Sequence, residues 1–336
     1  MKVLIYIGYQ QKDLEYQDFI DGNEIGGTEL VALNLAENLA KWGIETFFGG
    51  QIKSGFYNNV EWLNLTDCSS KHFDMVISAS YMHFIDKIDA KYKLLWMHNT
   101  DFYDWYKGER VYGIEYIQRQ DLNGIIALTK WHKKQIEKDY NPACPIYVIG
   151  NAIDRKTFPG HQQKTPGSFI YSSAAERGLN RVLEMWPQIQ ATIPDATLNV
   201  FTPGYSLPLV NKWPEGVTFR GTANQETLHK WQAQSEYWFY PTKYEETYCI
   251  TALEMQMNKV IPITSNVAAL DEVVVNKSGK LSGDETNEKY LDIIKELHTS
   301  PERKQKIRIN GWEWAKQQTW NVRIQEWIQL INSYAN

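Results

Sequence analysis

The chain of 336 residues lacks the marks of several large protein classes. Its three cysteines, Cys68, Cys144 and Cys249, cannot all pair internally and lack Cys-x-x-Cys spacing. That excludes a disulfide scaffold and a zinc ribbon, and points to a reducing compartment. No run approaches the 18 or so apolar residues of a membrane span. Basic residues do not exceed acidic ones: 35 against 40 leaves a formal charge of −5, so no bulk field draws the chain to nucleic acid. The seven histidines show no His-Glu-x-x-His or other paired spacing, and neither a Gly-x-Ser-x-Gly elbow nor a P-loop occurs. Asp-x-Asp is also absent, which removes the usual carrier of a metal-held diphosphate, so no metal and no cofactor is expected. The opening Met1-Lys2-Val3-Leu4-Ile5-Tyr6-Ile7 meets polar residues at once and reads as a buried strand, not the core of a leader. A cytoplasmic protein is the expectation.

What is present is an alternation of short apolar runs with helical patterns. In the first half the strand-like runs are Val3 to Ile7, Glu45 to Phe48, Met75 to Ser78, Lys93 to Met97, Gly124 to Leu128 and Ile146 to Ile149; helices fit Thr28 to Lys41 and Thr129 to Asp139. Asn151 to Gly167, with two prolines and two glycines, breaks the pattern and reads as a linker. It restarts with strands at Ser168 to Tyr171, Thr197 to Phe201, Val217 to Arg220, Tyr237 to Tyr240 and Val260 to Thr264. Helices are expected over Arg177 to Ile193, Gln225 to Ala233, Tyr248 to Met257, Asn287 to Leu297, Pro301 to Gln318 and Asn321 to Tyr334. Continuous apolar strands separated by helices indicate parallel sheets covered on both faces. The fold class is therefore α/β: two doubly wound, Rossmann-like domains, 1–150 and 168–319, joined by 151–167 and facing each other across a ligand cleft. The 13 tryptophans, 20 tyrosines and 12 phenylalanines permit a sugar-stacking site without requiring one.

Four segments could carry chemistry. Gly26-Gly27-Thr28-Glu29 opens a helix after a long loop; it is either an anion-binding glycine turn or a plain turn with an N-cap. Glu246 and Glu254 flank Thr247-Tyr248-Cys249-Ile250, eight positions apart, with Glu246 in a loop and Glu254 about two helical turns beyond it. On one helix that spacing is about 12 Å, wider than the roughly 5 to 9.5 Å of a glycosidase carboxylate pair. The two acids either grip different parts of an elongated ligand or are ordinary helix residues. Arg177, after the loop Ser172-Ser173-Ala174-Ala175-Glu176, stands in a first helical turn where a cation opposes the helix dipole. It either serves a phosphate or pairs with Glu176. His98, at the end of the run Leu95-Trp96-Met97, is either a ligand contact or a satisfied structural histidine. The basic stretch Lys130 to Lys138 is a solvated helix face or a patch for peripheral contact with anionic membrane lipid.

Together these segments resemble the family 4 retaining glycosyltransferases of the GT-B fold over nearly the whole chain. The resemblance rests on Gly26-Gly27-Thr28-Glu29, on His98, on the junction Gly150-Asn151-Ala152-Ile153-Asp154 and above all on the Glu-x7-Glu element Glu246 to Glu254. It implies transfer of a sugar, without metal and with retention, from a UDP- or GDP-sugar to a glycan or lipid-linked acceptor. It also implies roles. Glu254 would hold the ribose hydroxyls and Glu246 the sugar hydroxyls. Thr247, Tyr248, Cys249, Ile250 and Ser173 would line the donor site, and Arg177 would grip phosphate. His98 would lie near the transferred sugar, Gly26 and Gly27 near the diphosphate or acceptor, and the final helix, 320–334, would pack back on the first domain. The sequence departs from the family at Ser172, where an arginine is common, and at Thr247 and Cys249, where glycines are common. Two other functions fit the same architecture: a sugar-nucleotide epimerase, which needs no acceptor, and a non-catalytic sugar-nucleotide-binding protein, which turns nothing over.

Overall fold

A computed structural model describes residues 1–10, 12–21, 25–81, 85–104, 109–111, 114–160, 162–275, 280–281 and 286–335. The chain forms two compact units. Among the described residues, the first comprises 1–21, 25–152 and 320–335, and the second 153–319.

The first unit is built on an eight-stranded sheet. Its strands are β1 (Lys2–Tyr6), β2 (Glu45–Gly49), β3 (Gly55–Tyr57), β4 (Val60–Leu63), β5 (His72–Ala79), β6 (Asp89–Trp96), β9 (Gly124–Ala127) and β10 (Ile146–Val148); β7 (Phe102–Asp104) and β8 (Glu109–Val111) form a separate antiparallel ribbon. The order is β10-β9-β6-β5-β1-β2-β4-β3, parallel except for β3. The β3–β4 hairpin is absent from the sequence expectation. It turns on Asn58 and Asn59, both in the left-handed region at φ +49° and +63°, as a two-residue hairpin turn of the primed type requires. The helices of this part are α1 (Tyr16–Asp21), α2 (Gly27–Lys41), α3 (Leu65–Ser70), α4 (Ile114–Ile117) and α5 (Lys130–Tyr140). On α5, Lys133 pairs with Glu137 and donates to the Ile146 carbonyl, and Lys138 pairs with Asp139, which gives this face mixed charge. Among the described residues no helix is long and apolar enough to cross a membrane.

The second unit has a six-stranded, all-parallel sheet: β11 (Ser168–Ser172), β12 (Thr197–Phe201), β13 (Val217–Gly221), β14 (Tyr237–Tyr240), β15 (Ile261–Ser265) and β16 (Lys280–Leu281). Every residue of β11, β14 and β15 is buried, as expected of strands covered on both faces. The order β13-β12-β11-β14-β15-β16 is the doubly wound order of dinucleotide-binding domains. Its helices are α6 (Leu179–Thr192), α7 (Gln225–Gln234), α8 (Ile250–Met257), α9 (Leu270–Val273), α10 (Asn287–Thr299) and α11 (Pro301–Ala315).

The stretch 151–167 is not a free linker. The division falls between Ala152 and Ile153, and the chain from Ile153 to Gly167 is bound to the second unit. Lys164 Nζ donates to the carbonyls of Gln232 and Asn258, Thr165 N–H donates to Gln234, and the Phe158 ring stacks on His229 at 4.0 Å. Those contacts satisfy carbonyls at the ends of α7 and α8 and cover one face of an aromatic ring, which an open linker would leave in water.

The last helix, α12 (Trp320–Ser333), packs against α2 in the first unit. Trp327 is fully buried edge-on to Trp96 at 4.8 Å, and the Tyr334 hydroxyl donates to the Asn123 carbonyl. We predict that Trp327→Ala destabilises the protein by about 3–5 kcal/mol, the usual cost of deleting a buried indole, seen as a lowered urea midpoint. The more conservative Trp327→Phe should lose less.

Candidate active site

In a doubly wound sheet, ligands bind outside the carboxyl ends of the strands where the order reverses. In the second unit that point lies between β11 and β14, and the segments leaving those strands carry the expected residues. After β11 come Ser173 and a single 3-10 turn, Ala175–Arg177. Gly178, at φ +119°, then redirects the chain into α6. Arg177 therefore precedes the helix rather than standing in its first turn. Gly178 is also a close approach: a Cβ there would lie 3.4 Å from the Pro241 carbonyl and from Thr242 Cα, so the glycine lets the two loops touch.

The partner of Arg177 is Glu246, not Glu176. Arg177 Nη1 meets Glu246 Oε1 at 3.1 Å, and the guanidinium stacks over the Tyr244 ring at 4.0 Å. Glu176 instead accepts a short hydrogen bond from the Ser206 hydroxyl. The Tyr240 hydroxyl donates to the same Glu246 oxygen at 2.7 Å and lies 3.3 Å from Ser173 Oγ. Burial first, then the Glu246 charge, hold the Tyr240 phenol well above its ordinary pKa, so it remains a donor. Burial would lower the Arg177 pKa, but the surrounding groups together, Glu246 first, more than offset it and the guanidinium stays charged. Arg181 is committed elsewhere: its Nε donates to Asn287 Oδ1, and the guanidinium lies over the Tyr290 ring.

Helix α8 starts later than the spacing predicts. Cys249, at φ +70°, adopts the left-handed conformation that glycine favours, and the first helical residue is Ile250. Glu254 is thus little more than one turn into the helix. No side chain caps that end. Burial first, then Glu246, raise the Cys249 thiol far above its ordinary pKa, so it is protonated and no nucleophile. Thr247 and Tyr248 are buried beside it.

Glu254 is 5 % exposed and surrounded by donors from α7. Gln225 Nε2 reaches Oε1 at 3.0 Å, Gln232 Nε2 reaches Oε2 at 3.1 Å, and His229 Nε2 lies 3.5 Å from Oε1. Burial raises this carboxyl, but the hydrogen bonds, from His229 first, more than offset it and keep it below the ordinary carboxylate range. Positions 225, 229 and 232 share one face of α7. That polar stripe, where a core-facing helix normally presents apolar residues, was the sequence signal for these partners, and spacing within the Glu-x7-Glu element could not reveal them.

The remaining expected residues lie in the first unit. Gly26 is the residue before α2 and Gly27 its first residue, but the position is not an open anion site. The Glu29 carboxylate folds back so closely that a Cβ on Gly26 would lie 2.4 Å from Oε2, and a negative charge there opposes a phosphate. Glu29 Oε1 accepts from the Tyr81 hydroxyl at 2.9 Å and faces Gln10 Nε2 at 3.5 Å. His98 lies past the carboxyl end of β6, its N–H donating to Ser80 Oγ, its ring tilted 4.5 Å from Trp96. Burial, then His132, lower its pKa to about 3, so the ring is neutral and is no proton shuttle near pH 7.

Solved structures share this architecture. Sucrose-phosphate synthase from Thermosynechococcus elongatus superposes with a TM-score of 0.75 at 12 % identity, over 99 % of this chain and 98 % of that one. The chain has the GT-B fold. Anabaena HepE in complex with UDP-glucose matches with a TM-score of 0.71 at 12 % identity, covering 99 % and 100 % of the two chains. WaaG, a glycosyltransferase involved in lipopolysaccharide biosynthesis, matches at 0.69 and 11 % identity over 98 % and 99 %. No family profile matches the chain, and no curated protein does. Within this GT-B chain, the second unit carries the Arg177–Glu246 and Glu254 clusters and the first carries His98, Gly26 and Gly27.

The buried histidines set an acid limit. His98 and His132 are neutral in the fold, with pKa values lowered to about 3 and about 4 by burial, and take up protons on unfolding below about pH 6.5. Their stabilising effect is complete above that pH and is lost as pH falls. We predict that each costs about 2 kcal/mol at pH 5 relative to pH 8. In denaturant titrations at the two pH values, His98→Asn should remove one such increment from the acid loss.

Proposed function

We propose that this protein is a glycosyltransferase that moves a sugar from a nucleoside diphosphate sugar, UDP- or GDP-linked, to a hydroxyl of a glycan or lipid-linked glycan, with retention and without metal. The observation that carries this reading is the arrangement at the β11–β14 switch point. A charged guanidinium, Arg177, sits on Tyr244 and against Glu246, in the loops where this sheet order binds phosphate-bearing ligands. HepE and the pneumococcal O-GlcNAc transferase GtfA were crystallised with UDP, which makes UDP the first nucleotide to test.

Each group then has a task. A guanidinium carries five donors, so the bond to Glu246 leaves others for a diphosphate oxygen. The start of α8, uncapped by any side chain, offers backbone N–H groups and the positive end of its dipole to the same charge. These two features take the part that a cation would play, in a sequence without Asp-x-Asp. Glu246, held by Tyr240, would accept from hydroxyls of the donor sugar, and Glu254 from those of the ribose. In the reaction, the bond from the anomeric carbon to the diphosphate oxygen breaks and the acceptor oxygen bonds that carbon on the same face. The acceptor proton passes to the departing phosphate oxygen. Arg177 and the α8 amides stabilise the negative charge that accumulates there. His98, a neutral imidazole, would hydrogen-bond a sugar hydroxyl.

Calorimetric titration with UDP, GDP, ADP and dTDP, with and without magnesium, tests the donor. One diphosphate should bind in the micromolar range without metal, and Glu254→Gln should weaken it about 10–100-fold. Binding by none of the four to folded protein would overturn the assignment. Arg177→Ala should lower turnover of the sugar donor by about 10²–10³-fold. Unchanged turnover would remove Arg177 from the mechanism, and conversion of donor without release of diphosphate would indicate an epimerase.

A further inference from the structure

The polar stripe of α7 contains a group that the proposed mechanism does not use. His229 is completely buried, and each of its ring nitrogens faces an oxygen. Nδ1 lies 3.0 Å from the Thr157 carbonyl, which only accepts, so Nδ1 carries a proton. Nε2 lies 3.5 Å from Glu254 Oε1, which also accepts when ionised. A neutral ring with its proton on Nδ1 would turn a lone pair toward the Glu254 carboxylate. With Glu254 ionised, only the imidazolium turns a proton toward both oxygens. The Phe158 ring, stacked on the imidazole at 4.0 Å and 16°, fixes the plane in which the two nitrogens point.

We propose that His229 is a positioning residue for nucleotide binding: as an imidazolium it holds the Glu254 carboxylate ionised and oriented toward the ribose, and it ceases to do so when it loses its proton. This rests on the assignment of Glu254 to the donor nucleotide. Gln232 is fully buried, whereas Gln225, the first residue of α7, is half-buried. An incoming ribose displaces Gln225 most readily, and His229 and Gln232 keep the carboxylate in place. A purely structural role would not need a charge here, because apolar residues in place of both His229 and Glu254 would fill such a site at equal or lower cost.

The groups that face the ring can be named. Glu254 comes from α8, the Thr157 carbonyl and the Phe158 ring from the segment after Ile153, and Gln225 and Gln232 from α7 itself. Among the described residues the one ionisable group that bears on His229 is Glu254. Burial pulls the His229 pKa down, the Glu254 carboxylate and the Thr157 carbonyl together pull it up by more, and the balance lies above the ordinary value. The pairing needs Glu254 ionised and His229 protonated, so it holds between their two titrations and is lost as pH rises through the raised His229 value.

The test is UDP binding by calorimetry between pH 7 and 9.5, without metal, on the full chain and on His229→Gln, His229→Ala and Glu254→Gln. The wild type should bind about tenfold more weakly at the alkaline end. The midpoint of the loss should coincide with titration of the His229 ring followed by NMR. His229→Gln, a neutral donor at every pH, should bind at a constant level close to the alkaline wild type, and His229→Ala should bind no better. A flat wild-type profile, or a His229→Gln profile that parallels the wild type, would overturn the proposal. The wild-type profile decides even if a variant does not fold. If Glu254→Gln weakens UDP while His229→Gln matches the wild type throughout, the positioning role alone fails. If Glu254→Gln leaves UDP binding unchanged, the donor assignment itself has failed.

Discussion

A carboxylate taken out of water must be met by donors, and the second unit is arranged around two such carboxylates. Glu246 and Glu254 are 7 % and 5 % exposed. An ionised group at that depth costs several kcal/mol unless hydrogen bonds and an opposite charge compensate it. Glu246 is met by Tyr240 from the end of β14 and by Arg177 from the loop after β11. Glu254 is met by three side chains of α7. The two compensations tie together a strand end, two loops and two helices. Losing any one partner exposes a charge rather than merely a contact.

The first unit solves a related problem with neutral groups. Its carboxylate, Glu29, is received by a tyrosine hydroxyl and faces a glutamine amide, and its histidine, His98, is held uncharged by burial. The guanidinium and the uncapped helix start lie in the other unit.

The sequence disclosed what one chain segment can carry by itself. Runs buried on both faces, such as Tyr237 to Tyr240, were legible to the residue, because continuous apolar strands have few other uses. The hairpin at Asn58-Asn59 was not, since β3 is three residues with a glycine and the turn signal was small. The start of α8 was misplaced because a cysteine gives no sign that its backbone will adopt φ +70°. The Glu246–Glu254 spacing drew attention to the correct segment, yet the partners of both acids sit on other elements. Pairing across elements is a property of the fold: Arg177 has Glu176 next to it in sequence and Glu246 next to it in space.

Among the described residues the second unit is one stretch of chain, and its two ends meet. Ile153 N–H donates to the Gln318 carbonyl at 3.1 Å, and Ile153 and Thr319 form a β-bridge. The first unit, by contrast, is sewn from segments on either side of it, with α12 supplying the last of its core. In the terms of gene architecture the second unit is an insertion cassette. Its exchange between chains would join at a closed seam, whereas loss of α12 strikes the first unit while leaving the cassette's sequence whole.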